Sequence, residues 1–185
     1  MNKKNQVLLL ATLTLVGFSG IGILITFFSS SVSVLFINKE SIFIQTIVGI
    51  AFGSLSAFVG WKIINLKPLK GITKKYTNLI APLKLNNSEI IYISICAGVG
   101  EEILFRGAIQ PLLGIWITSI LFVAIHGYLS PTNWRLSIYG FYMTLIIVIM
   151  GYFTKHMGIS TAIFAHIFID IFLLYLLSNR NGYYK

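Results

Sequence analysis

Residues 90–110 read IIYISICAGVGEEILFRGAIQ, an apolar run interrupted by Glu101, Glu102 and Arg106. About 20 apolar residues carry a helix across ~30 Å of hydrocarbon, so this stretch has the length of a membrane span. Five further runs accompany it, at residues 7–28, 42–64, 112–126, 136–153 and 159–177. The run at 112–126 is short and is expected to tilt little or to end inside protein. All four prolines, Pro68, Pro82, Pro111 and Pro131, fall between runs, as they should if the runs are unbroken helices. The expected fold class is all-α: a polytopic transmembrane helix bundle of about six spans.

Composition agrees. Of the 185 residues 56% are hydrophobic and 10% charged, against about 25% charged in soluble domains, so the solvent is lipid. The net charge of +9 would point to nucleic acid in a soluble protein. Here it marks span ends, and no nucleic-acid partner is expected. With the N-terminus placed in the cytoplasm, Lys3, Lys4, Lys62, Lys67, Lys70, Lys74, Lys75, Lys84, Arg135, Arg180 and Lys185 fall inside. Only Lys39, Arg106 and Lys155 do not, so 11 of 14 basic residues obey the positive-inside rule. Lys3-Lys4 before an apolar run mimics a signal peptide, with small residues at 29–33, but the run exceeds the usual 7–15-residue h-region. An uncleaved first span is expected.

One membrane domain covers residues 1–185. Two accessory spans occupy 7–64, a basic amphipathic segment 65–88, and a core with the unusual polar residues 89–178. In the middle segment Leu66, Leu69, Ile72, Tyr76, Leu79, Ile80 and Leu83 recur at helical spacing between lysines, which fits a helix in the inner interface against anionic lipid. In the second span Gly49, Gly53 and Ala57 form a small-residue stripe for close helix packing. The single cysteine, Cys96, lies in an apolar run and excludes both a disulfide and a thiolate metal site.

Function is carried by polar groups placed where lipid-facing residues belong. Of five acidic residues, Glu40 and Glu89 sit at span boundaries, whereas Glu101, Glu102 and Asp170 lie inside spans. Left unpaired, three carboxylates and Arg106 would cost roughly 10 kcal/mol, so they must be paired, protonated or wetted. Glu102 and Arg106, four apart, share a helix face and can form an ion pair. Glu101 is rotated about 100° away, on a face with Ser94, Ala97, Gly98, Phe105 and Ala108. His166 and Asp170 are also four apart. At ~1.5 Å per residue, Glu101, His166 and Asp170 lie near mid-membrane, with His126 nearer the cytoplasmic side by roughly 10 Å. One cavity can gather them. His156, beside Lys155 in an outer loop, stands apart.

The segments Glu101-Glu102-Ile103-Leu104-Phe105-Arg106, Phe122-Val123-Ala124-Ile125-His126 and His166-Ile167-Phe168-Ile169-Asp170 resemble, in order and spacing, the EExxxR, FxxxH and HxxxN/D motifs of the CAAX protease and bacteriocin-processing family of intramembrane proteases. The resemblance covers about half the chain, residues 89–178. It implies an intramembrane endopeptidase in which Glu101 and His126 activate a water while His166 and the residue at 170 stabilise the oxyanion, with Glu102 and Arg106 in support. CAAX-trimming members resemble an Asn at the last position, where this chain has Asp170. An ionised Asp cannot donate to an oxyanion, so Asp170 is protonated, orients His166, or binds metal. Glu101, His126, His166 and Asp170 also make an N/O ligand set for zinc, the one cofactor the resemblance brings in.

Competing readings are a catalytically inactive relative acting as a membrane immunity or partner-binding protein, a buried polar network without turnover, and a proton-coupled transporter. The transporter is disfavoured by the few spans and the lack of an inverted repeat. The expected partners are membrane lipid and a membrane-embedded or lipidated peptide substrate. Lysine outnumbering arginine 11 to 3, with abundant Ile and Asn, suggests an AT-rich bacterial genome and hence a bacterial cell membrane.

Overall fold

The computed structural model describes residues 1–29 and 39–179. Residues 30–33 of the small-residue patch, and Arg180 and Lys185, lie outside the described residues. All regular structure among those described is helical. Helix α1 spans Lys3–Phe28, with a π-helical turn at Thr14–Phe18. Helix α2 spans Ile42–Ile64 and α3 Lys70–Ile80. Helix α4 spans Asn87–Glu102 and continues as a π-helix over Ile103–Ile109. Helix α5 comes next at Gln110–Ile125, then α6 at Trp134–His156 and α7 at Ile159–Ser178. The long apolar helices make this an integral multi-pass membrane protein.

Helix starts obey local chemistry. Asn2, Ser41 and Asn133 cap α1, α2 and α6 through side-chain oxygens. Asn86 and Glu89 form a reciprocal capping box at α4. Helix runs through Pro111, which stands in the first turn of α5, so the break expected there is absent. A proline in a helix's first turn removes only an N–H that needs no partner. The chain instead turns at Gly114, whose φ of 78° and ψ of 168° leave the helical region. The reversal is required by geometry. His126 Nε2 sits 3.3 Å from Glu101 Oε2, whereas a straight helix would hold those residues ~37 Å apart. With this break the bundle has six passes.

Helix α7 is the central element, gripped by glycines on two sides. A Cβ on Gly49 would lie 2.6 Å from the Thr161 carbonyl oxygen, and one on Gly53 would collide with the Ala165 backbone. On the other side, a Cβ on Gly98 would lie 2.6 Å from the Ile167 side chain. The small-residue stripe of α2 is therefore a seat for α7. Helix α1 packs on α4 in the same manner. A Cβ on Gly100 would meet the Thr14 carbonyl at 2.6 Å, and one on Gly22 the Ile103 carbonyl at 3.0 Å. The outer face of α1 (Leu10, Val16, Phe27, Phe28) is exposed, as lipid contact demands.

The lysines sort by end. Lys4 Nζ lies 2.7 Å from Glu89 and 3.5 Å from the Lys84 carbonyl, which brings the starts of α1 and α4 to the end where α3 lies. Helix α3 leaves Lys70, Lys74 and Lys75 exposed. Its apolar face packs onto the bundle, with Leu69 and Ile72 against Leu136, and Tyr76 and Tyr128 alongside. Cys96 is buried at 1% exposure.

The α2–α7 seat gives a stability prediction. Gly53→Ala should lower the thermal midpoint in detergent by the equivalent of about 1–3 kcal/mol, the usual range for overpacking. Gly17→Ala, where nothing stands within 4 Å of the added Cβ, should leave it unchanged or slightly raised.

Candidate active site

The site grows from two buried groups that cannot exist alone. Glu102 and Arg106 are both fully buried, and Arg106 Nε donates to Glu102 Oε2 at 3.1 Å. The other oxygen, Glu102 Oε1, accepts from His166 Nδ1 at 2.9 Å. Arg106 Nη1 donates to Gln110 Oε1 at 3.3 Å, and Gln110 Nε2 to the Gly151 carbonyl at 3.2 Å. One chain of contacts thus ties α4, α5, α6 and α7 together. It also fixes the His166 ring, leaving Nε2 3.6 Å from Asp170 Oδ2.

Glu101, next in sequence, points into a different space. With its neighbour committed to His166, the Glu101 carboxylate faces α5 and stands 3.3 Å from His126 Nε2. This contact has ion-pair distance without hydrogen-bond alignment, and Glu101 Oε2 is buried without a hydrogen-bond partner. His126 caps the end of α5, and its Nδ1 lies 2.7 Å from the Phe122 carbonyl. That acceptor holds the proton on Nδ1 and leaves Nε2 aimed at Glu101. The ring is stacked between Phe122, at a centroid distance of 4.3 Å, and Tyr128, at 6.1 Å.

Glu101, His126, His166 and Asp170 line one cavity of about 140 Å³, walled by Tyr128 and Tyr139 among others. A second, largely apolar cavity of about 190 Å³ shares Tyr128, Tyr139, Asp170 and Leu173 with it and extends to Ile72, Tyr76 and Ile80 of α3. His126 and Asp170 keep 31% and 29% of their side chains exposed, whereas Glu102 keeps none. Access therefore runs from the α3 end.

Zinc fits these residues poorly. The histidines lie against carboxylates, His126 against Glu101 and His166 against Glu102 and Asp170. Among the described residues no three His, Cys, Asp or Glu side chains are grouped to hold a metal ion. His156 stacks on Tyr152 at the far end of α6, away from the cavity.

Sequence spacing did not reveal three features. The link from Glu102 to His166 crosses between helices, so no i,i+4 rule finds it. The π-helix directly after Glu102 adds a residue to the turn and re-aims the side chains beyond it, as π segments at functional sites do. Tyr128 and Tyr139 wall the cavity but belong to none of the spaced polar motifs. The one signal for Tyr128 was its place two residues beyond His126.

Comparison with known proteins places this geometry in context. Residues 85–172 match the family model described as Rce1-like, type II CAAX prenyl endopeptidase, which bears out the motif resemblance over that region. The uncharacterized protein YpbD of Bacillus subtilis (strain 168) is 32% identical over 101 residues, 54% of this chain and 49% of the relative. The chain thus spans about half the length of that curated relative. No solved structure matches.

The ion network gives a second stability prediction. Arg106→Met would leave a buried carboxylate with one partner fewer and should destabilise by about 3–5 kcal/mol. The double variant Glu102→Gln/Arg106→Met should recover much of that loss. Thermal unfolding of both in the same detergent provides the comparison.

Proposed function

We propose that this chain, whose residues 85–172 carry the likeness to CAAX endopeptidases, is an intramembrane endopeptidase that hydrolyses a peptide bond of a membrane-embedded or lipidated substrate. The observation that carries the reading is the Glu101–His126 pair at 3.3 Å, contributed by separate helices to a cavity also lined by His166 and Asp170. By the positive-inside rule, the lysine-rich end bearing α3 faces the cytoplasm. Substrate enters there, along the apolar cavity beside Ile72 and Tyr76.

The chemistry assigns each group one task. A water admitted between the pair, which must part from 3.3 Å to hold it, donates one hydrogen bond to Glu101 and the other to the bare Nε2 of His126. As its oxygen attacks the scissile carbonyl carbon, Glu101 takes its proton as general base. The tetrahedral intermediate's oxyanion faces His166. Nδ1 of that ring donates to Glu102, so Nε2 can donate only if the ring is an imidazolium. Charge balance supports this form, since Arg106 and His166 as cations offset Glu102 and Asp170 as anions in a buried cluster. Asp170 then needs no donor of its own: it orients and balances His166, which does the donating. Glu101 returns the proton to the leaving amine, and the C–N bond breaks. No step is routed through a metal.

The test is direct cleavage. Purified protein in lipid is incubated with single-pass membrane peptides and products are read by mass spectrometry. Glu101→Gln and His126→Ala should each lose about 10²–10⁴-fold in rate, with wild-type activity retained in chelator. Equal cleavage by Glu101→Gln overturns the role given to Glu101, and no cleavage by the wild type leaves a non-catalytic, partner-binding relative. Loss of activity in chelator, restored by zinc, overturns the metal-free mechanism.

A further inference from the structure

Three basic residues stand apart from the lysine-rich end of the molecule, and all three line one cavity. Lys39, Lys155 and Arg106 border a space of about 490 Å³ at the end of the bundle away from α3. It lies between the α4–α5 junction, the last turn of α6 and the residues leading into α2. Among the described residues no carboxylate lines it; Glu40, next to Lys39 in sequence, is not among its walls. Cations at this end break the positive-inside pattern that the other lysines obey, so their convergence calls for a local cause.

Arg106 provides that cause. Its guanidinium is fully buried, with Nε on Glu102 and Nη1 on Gln110. Its Nη2 is buried without a hydrogen-bond partner, although the residue borders the cavity. A buried charged donor left unsatisfied is strongly unfavourable, and such donors are rare without a ligand to answer them. The cavity supplies the direction from which an acceptor can come. Gly114, where the helical conformation breaks, also lines it, along with Ile115 and Trp116. The positive end of the helix that restarts there faces the same space. Trp116 and Tyr152 give the walls the aromatic character of a headgroup-level belt.

We propose that this cavity binds a phosphate oxyanion, such as an anionic phospholipid headgroup in the leaflet away from α3, through Lys39, Lys155 and the unpartnered Nη2 of Arg106. The site is separate from the peptidase cavity and does not rest on the peptidase reading. A phosphate group suits it in charge, since Glu102 already offsets Arg106 and the two lysines supply the remaining positive charge. It suits it in geometry too, since several acceptor oxygens can reach donors on three sides.

Trp116 is a reporter within the site. The chain has three tryptophans, and Trp61→Phe/Trp134→Phe leaves only that one. The protein is reconstituted in phosphatidylcholine vesicles containing either brominated phosphatidylglycerol or brominated phosphatidylcholine. Trp116 should be quenched more by the anionic lipid, and Lys39→Gln/Lys155→Gln should weaken that preference at least about tenfold. The control Lys67→Gln/Lys70→Gln, at the α3 end, should leave it intact. In a second arm inorganic phosphate is titrated into plain phosphatidylcholine vesicles. A saturable, Lys39/Lys155-dependent change in Trp116 emission there would identify free phosphate as the source. Either lysine-dependent response supports the site. No response in either arm, or equal loss in both lysine variants, overturns it. An unchanged thermal midpoint for Lys39→Gln/Lys155→Gln in plain vesicles shows that folding is not the cause.

Discussion

A carboxylate and a guanidinium, fully buried 3.1 Å apart inside a bundle that lies in lipid, set the terms for this molecule. Neither charge is tolerable alone in that medium, and neither is fully answered by the other. Glu102 has a second oxygen to fill and takes His166 from α7. Arg106 has two further nitrogens, one of which reaches Gln110 and through it α6. Satisfying one pair thus fixes the relative positions of four helices. The same contacts that remove an electrostatic penalty aim the His166 ring into the cavity.

Packing makes the arrangement possible. His166 can reach Glu102 only because α7 lies against α4 at Gly98 and against α2 at Gly49 and Gly53, where any side chain would push it away. Helix α1 meets α4 as closely at Gly100, beside the two glutamates. The two accessory spans therefore brace α4 and α7, which carry the site, without lining its cavity.

Much of this was legible in the sequence, for a physical reason. Membrane spans announce themselves by length and apolarity, and a Glu, His or Arg within one is conspicuous. Pairs on one helix derive from the 3.6-residue turn, as with Glu102 and Arg106. Contacts between helices carry no such signature, and the Glu102–His166 bond is of that kind. The turn at Gly114 was missed because Pro111 is the stronger breaker in general. At the start of α5, however, the proline's missing N–H has no consequence, and the reversal needs a positive φ that glycine supplies. The amphipathic pattern of α3 was legible, but not its target. Periodicity shows that a face is apolar, not that it will rest on Leu136 and line the approach to the site.

The proposed mechanism splits the two histidines into different protonation states, and there chemistry and packing meet. Nitrogen-15 NMR of histidine-labelled protein in lipid bilayers, assigned with His126→Gln and His166→Gln, reads those states at each ring nitrogen. At neutral pH the expected spectrum has both nitrogens of His166 protonated and His126 carrying a proton on Nδ1 alone. A neutral His166, or a doubly protonated His126, would contradict the division of labour between the Glu102 and Glu101 sides of the site.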